Sequence, residues 1–208
     1  MAHRPTKQHI LEATITAIEK YGLQNITTRV IAQEAGVNNA ALHYYFGTKE
    51  HLLTEALTLT LDHMMGDTDE ILSRQISIDD RLRALFEYLI EGMLLFPNII
   101  RAHLSGPLME GEQDSPFIRM VNAWLERTSQ ELDQVLPPEQ KANAPLRLFT
   151  VLTTTLFAGI LPGLEDSPAH IDFRDATLRA RYIDYLVDLI LHDSRQPLRH
   201  GPNPGLEE

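Results

Sequence analysis

Apolar residues return every three or four positions along most of the chain, the period of helices that bury one face. Near the N-terminus Ile10, Ala13, Thr14, Ala17 and Tyr21 keep this spacing, and Leu11, Ile15 and Ile18 widen the stripe. Thr6 is placed to cap this helix and Gly22 to end it. Thr27 caps a second helix with Val30, Ile31 and Ala35 on its apolar side; Gly36 supplies a left-handed stop and Val37 packs back beneath the turn. Asn38 or Asn39 caps a third helix that buries Ala41, Leu42 and Phe46 and turns Asn39, Ala40, His43 and Tyr44 outward. Gly47 ends it. Thr48 caps a long helix from Lys49 to near Arg74, with Leu52, Leu53, Ala56, Leu57, Leu61, Met64 and Met65 on one face and Gly66 as a point of bending.

The same period continues. Asp79 or Asp80 caps a helix with Leu82, Leu85, Phe86, Leu89, Met93 and Phe96 inward, and Pro97 ends it or opens a short helix through Leu104. Ser105-Gly106-Pro107 and Glu110-Gly111-Glu112 mark loops. Ser115 caps and Pro116 opens a helix carrying Phe117, Met120, Val121, Trp124, Leu125, Leu132 and Val135, stopped by Pro137-Pro138. Pro145 opens another that runs to near Leu161. After a loop from Pro162 to Asp172, a final helix spans Phe173 to near His192. Its main face holds Leu178, Tyr182, Tyr185, Leu186 and Leu189, and Ile183, Val187 and Ile190 extend it around the side. A helix apolar around most of its girth needs cover from more than one direction, and a partner subunit is a natural source. No stretch alternates like a strand, so the fold class is all-α. The tail after Ser194, with Pro197, Pro202 and Pro204, is expected to be disordered.

Two short helices joined by a glycine turn suggest a helix-turn-helix, which sets its second helix in the DNA major groove. Asn pairs with an adenine edge and Ala touches a thymine methyl, while Tyr, Thr, Lys and Arg bond phosphates. An ordinary helical hairpin with a polar outer face shares the pattern. Arg4 and Lys7, ahead of the first helix, either meet phosphates or stand as solvated charges.

Composition narrows the field. The 208 residues are 43% hydrophobic and 23% charged and include no cysteine, which excludes disulfides and thiolate metal sites. The N-terminus lacks a signal peptide's apolar run and no stretch approaches membrane-spanning length, so the expected location is cytoplasmic, with no membrane partner. The net charge of −11 is unevenly spread. Residues 1–51 hold five Lys/Arg against four Asp/Glu, and the remainder thirteen against twenty-five. The acidic excess therefore lies outside the candidate DNA-binding end, which it would help point at the duplex. No catalytic constellation or metal spacing occurs among the nine histidines and the acids, so the chain is expected to be neither enzyme nor cofactor protein.

Thr27-Thr28-Arg29, Ile31-Ala32, Ala35-Gly36-Val37, Leu42-His43-Tyr44-Tyr45-Phe46 and Lys49-Glu50 followed by Leu52, with Ile10-Leu11, Ala13 and Gly22 upstream, resemble the DNA-binding domain of the tetracycline-repressor (TetR) family. The resemblance covers residues 4–57. Ile18, His43 and Gly47 depart from the usual Phe, Tyr and polar residue. It implies an all-helical homodimer released from DNA by a small ligand in its C-terminal domain. The expected division is a helix-turn-helix domain at 1–48, a helical ligand-binding and dimerisation domain at 49–194, and the tail at 195–208. Expected DNA contacts are Thr28, Arg29, Asn38, Asn39, Ala40, His43, Tyr44, Tyr45 and Lys49. Met64, Phe86, Leu89, Met93, His103, Phe117, Met120 and Trp124 are the expected ligand residues. Leu152, Leu156, Tyr182, Leu186 and Leu189 are the expected dimer interface. The expected function is a regulator, a repressor released from a palindromic double-stranded DNA operator by a small apolar or aromatic ligand. The alternative is a DNA-binding protein controlled by a protein partner.

Overall fold

The computed structural model describes residues 6–160 and 171–191. All of its regular elements are helices: α1 (Lys7–Tyr21), α2 (Thr28–Glu34), α3 (Asn39–Phe46), α4 (Lys49–Ser73), α5 (Ile78–Leu95), α6 (Pro97–Ser105), α7 (Pro116–Val135), α8 (Pro138–Lys141), α9 (Ala144–Ile160) and α10 (Ala176–Leu191). A single 3-10 turn at Leu23–Asn25 links α1 to α2. None of the described helices is long and apolar enough to cross a membrane.

Side-chain caps set most starts. The hydroxyls of Thr6, Thr27, Thr48 and Ser115 and the amide oxygen of Asn38 each accept from a backbone N–H three residues on. Gly36 and Gly47 take positive φ of 63° and 72°, as the two stops require.

Several boundaries depart from the sequence reading. Ser77, not Asp79 or Asp80, caps α5; its hydroxyl accepts from the Asp80 amide at 3.1 Å. The two aspartates instead fall in the first turn, where the helix dipole favours them. Asp175 delays α10, because its carboxylate accepts from the Thr177 and Leu178 amides, and Phe173 lies ahead of the helix. Ser105-Gly106-Pro107, expected as loop, is helical instead: α6 continues through Gly106–Glu110 as one π-helical turn that ends at Gly111 with φ 68°. Pro138 opens the one-turn α8 rather than only stopping α7. Helix α4 runs unbroken through Gly66. Met65, Phe96 and Val135, expected inward, are exposed, each at the margin of its apolar stripe. The expected loop after Leu161 and the tail lie outside the described residues, apart from Ile171 and Asp172.

Two main cores form. One joins α1, α2, α3 and the start of α4 through Ile10, Ile18, Ile31, Leu42, Phe46, Leu52 and Ala56. The other joins α4, α5, α6, α7, α9 and α10 around Leu82, Phe86, Leu132, Leu148 and Val187. Helix α6 belongs to both: Ile99 and Ala102 enter the first core, Ile100 and Leu104 the second. Helix α9 packs so closely on α5 that a Cβ at Gly159 would collide with the Met93 side chain.

Candidate nucleic-acid interface and ligand cavity

Helix α3 buries Leu42 and Phe46 and exposes Asn39, Ala40, His43 and Tyr44, while Ala41 is only half-buried. Asn38 has a structural duty: its Oδ1 accepts from the Ala41 amide at 2.9 Å and starts the helix. The His43 Nδ1 lies 2.8 Å from the Gly47 carbonyl oxygen. A carbonyl only accepts, so Nδ1 carries a proton, and of the two neutral tautomers this bond selects the one whose Nε2 is an acceptor. Tyr44 is 80% exposed and meets the half-buried Tyr45 edge-on at 5.1 Å.

The cations around this face divide by partner. Lys7 bonds Glu55 at 2.6 Å and lies over the Phe46 ring, so it braces α1 against α3 and α4 rather than standing free. Lys20 pairs with Glu34 at 2.5 Å and ties α1 to α2. Arg29, exposed on α2, and Lys49, half-buried at the start of α4, make no ion pair among the described residues. Thr28 is half-buried at the first position of α2. Arg4 lies outside the described residues.

A cavity of about 460 Å³ opens between α4, α5, α6, α7 and α9 and reaches Ile15 of α1. Six of the eight expected ligand residues line it: Met64, Leu89, Met93, Phe117, Met120 and Trp124. Phe86 does not, being wholly packed within the second core. His103 is also absent from the wall; it is buried, stacked 5.9 Å from Phe117. The Thr60 hydroxyl gives its proton to the Leu57 carbonyl and so accepts from His103 Nε2 at 2.8 Å. Burial lowers the His103 pKa to about 4, which keeps the ring neutral.

The sequence reading missed the polar wall. Thr60, His63, Asp67 and Thr68 line the cavity from α4 beside Met64, and Tyr88, Glu91 and Gly92 from α5 beside Leu89. For Thr60, Asp67, Thr68 and Gly92 the spacing from Met64 or Leu89 carried a signal, because positions three or four apart share a helix face; His63, Tyr88 and Glu91 lie one or two positions from those neighbours and gave none. The Tyr88 hydroxyl donates to Asp67 at 2.9 Å; burial first, and this bond second, raise its pKa, so it stays a neutral donor.

The expected dimer residues are mostly occupied within the chain. Leu152 and Leu186 are buried in it, Leu152 and Leu156 line the cavity, and Tyr182 packs on Phe173 at 4.7 Å. Leu189 is half-buried. The outer surface of these helices instead exposes Leu146, Phe149 and Phe157 of α9 and Tyr185 of α10.

Residues 10–56 match the family described as bacterial regulatory proteins, tetR family. The HTH-type transcriptional regulator BetI 2 of Chromohalobacter salexigens is 25% identical over 195 residues, spanning 87% of this chain and 88% of the relative. A TetR transcription regulator of solved structure from Haloarcula marismortui gives a TM-score of 0.65 at 20% identity, covering 88% of this chain and 96% of that one. The transcriptional regulator FadR from Bacillus subtilis, solved in complex with stearoyl-CoA, gives 0.54 at 15% identity, covering 90% of this chain and 98% of its own.

Proposed function

We propose, for a chain that belongs to the tetR family of bacterial regulatory proteins and is thus a helix-turn-helix DNA-binding transcriptional regulator, that it is a homodimeric repressor released from a palindromic operator by a small, largely apolar ligand. The cavity carries this reading. Its wall includes Ile99 and Ile100, and through them α6 is packed into both cores at once. A ligand that favours one setting of α6 therefore biases how α1 and the reading head sit. The complex of FadR with stearoyl-CoA supports a ligand with a long acyl chain for a fold of this kind.

On this reading residues 1–48 form the DNA-binding domain, 49–194 the ligand-binding and dimerisation domain, and 195–208 a tail. Asn39, Ala40 and His43 face base edges; Thr28, Tyr44, Tyr45 and Lys49 hold phosphates; Arg29 does either, and Asn38 starts the helix that carries them. Two copies meet through Leu146, Phe149, Phe157 and Tyr185, with Tyr182 and Leu189 beside them. That symmetry sets two heads on successive major-groove faces, about 34 Å apart or somewhat more.

The test is reciprocal linkage. With an operator selected from random DNA, a cavity ligand lowers operator affinity, and operator lowers ligand affinity by the same factor. Ligands that fill the cavity and leave DNA affinity unchanged would instead point to control by a protein partner.

A further inference from the structure

The cavity is amphipathic: its buried lining is largely apolar, and its exposed lining, here called the mouth, carries charge. Its floor is apolar: Met93 and Phe117 are buried, as is Leu152 of α9. Its mouth is acidic. Among the described residues the wall includes two carboxylates, Asp67 and Glu91, and neither Lys nor Arg. Both acids are exposed, and aromatic rings flank them: Tyr88, bonded to Asp67 at 2.9 Å, and the exposed Phe96. We infer that the cavity takes an amphipathic cation, with its apolar body on the Met93–Phe117–Leu152 floor and an alkylammonium head at Asp67 in the mouth.

The two carboxylates are not equivalent. Glu91 is already engaged by Arg179 at 3.3 Å, and the same guanidinium bonds Glu87 at 2.8 Å and the Phe173 carbonyl. Among the described residues Asp67 accepts only the neutral Tyr88 hydroxyl and makes no ion pair. The other nearby cation, Arg127 on α7, is engaged by Asp69 and Glu131. An exposed ion pair alone is weak and screened by salt. Here the Tyr88 and Phe96 rings line the same cavity, and a head set over either face gains cation–π attraction. An anionic head on the same apolar body faces two carboxylates with no Lys or Arg among the described lining residues to offset them, and His63, one turn before Asp67, as the single basic side chain there. A neutral alcohol gains the floor but not the mouth.

This inference rests on the reading of the cavity as the ligand site. Its test uses three probes of equal tail and different head: decyltrimethylammonium, decanol and decanoate, each below its micelle concentration. Affinities of the full chain are measured by calorimetry and by fluorescence of Trp124, the single tryptophan, which lines the cavity. The ammonium is expected to bind at least tenfold tighter than decanol, and decanoate weakest. Asp67→Asn keeps an acceptor for Tyr88, so it should bring the ammonium to within threefold of decanol and leave decanol unchanged. High salt should shrink the preference in the parent and not in this variant. Equal binding of ammonium and decanol, a preference for decanoate, or a preference that survives Asp67→Asn would overturn the inference, as would no binding by any probe. Probes that bind in the expected order without releasing operator leave this inference standing and sink the ligand-released repressor instead.

Discussion

Asn98 of α6 donates to Glu19 of α1 from both its backbone and its side chain. The Asn98 amide donates to the Glu19 carboxylate at 3.1 Å, and its side-chain Nδ2 donates to the Glu19 carbonyl at 2.8 Å. The Ile99 amide donates to the same carboxylate at 3.1 Å. The first amides of a helix have no partner within it and carry its positive end, so a carboxylate satisfies them with charge as well as geometry. Glu19→Ala should cost roughly 1–3 kcal/mol of stability, and Glu19→Gln less, measured by chemical denaturation. It should also reduce the factor by which a cavity ligand weakens operator binding. An alanine variant with parental stability and parental coupling would show that the contact is incidental.

Reading and anchoring should separate by mutation. Lys49→Ala should weaken all DNA sequences alike and reduce the salt slope by about 1. Asn39→Ala should lose discrimination at one or two positions, by roughly 1–3 kcal/mol. The tautomer selected by the Gly47 carbonyl turns the Nε2 acceptor of His43 outward, so the base it reads should be one that offers an amino group, adenine or cytosine. Operator selection with the parent and with His43→Ala checks this; a guanine at that position would refute the tautomer argument.

His103 should make the protein acid-labile. Its folded pKa of about 4 lies below the ordinary value of 6.5, so the unfolded chain takes up the proton first. Its contribution is intact above pH 6.5, falls as pH drops towards 4, and changes no further below that. The slope should be at most about 1.4 kcal/mol per pH unit. Denaturation midpoints of the parent and of His103→Gln across this window provide the measurement. A variant with the parental slope would assign the lability elsewhere.

Thr128 is fully buried on α7, and its hydroxyl has no hydrogen-bond partner among the described residues. Thr128→Val keeps the shape and removes the stranded group, so it should raise stability by about 1–2 kcal/mol. A loss of stability would mean that a water or another group satisfies the hydroxyl.

Assembly is best probed on α9. Leu186→Glu would place a charge in the chain's own core and unfold it, whether or not a partner exists. Phe149 is 54% exposed, so Phe149→Glu should leave the fold intact, convert a dimer to monomer in sedimentation, and abolish tight operator binding. A parent that sediments as a monomer at micromolar concentration, yet binds a palindrome tightly, would rule the arrangement out.

The reading head was legible because its signals are local. Thr27, Asn38, Gly36 and Gly47 act on backbone groups within four residues, and the chain names both partners. The cavity was only half legible. Methionines and aromatics announce an adaptable interior, but whether Phe86 fills a core or Met93 lines a space depends on how five helices meet. Asp67 and Tyr88 went unnoticed because each gains its meaning from the other, twenty-one residues away. Helix α10 was apolar nearly all round, yet only packing decides that Ile183 and Leu186 turn inward and Tyr185 outward.

The outer face of α9 has a consequence for dosage. If Leu146, Phe149 and Phe157 hold two chains together, the species that grips a palindrome forms by a second-order reaction. Where chains are dilute relative to the dimer's dissociation constant, dimer concentration follows the square of chain concentration. Halving synthesis then removes about three quarters of the operator-competent protein. Sharpness of response to expression level would thus be set by three exposed side chains set apart from both the reading helix and the cavity lining.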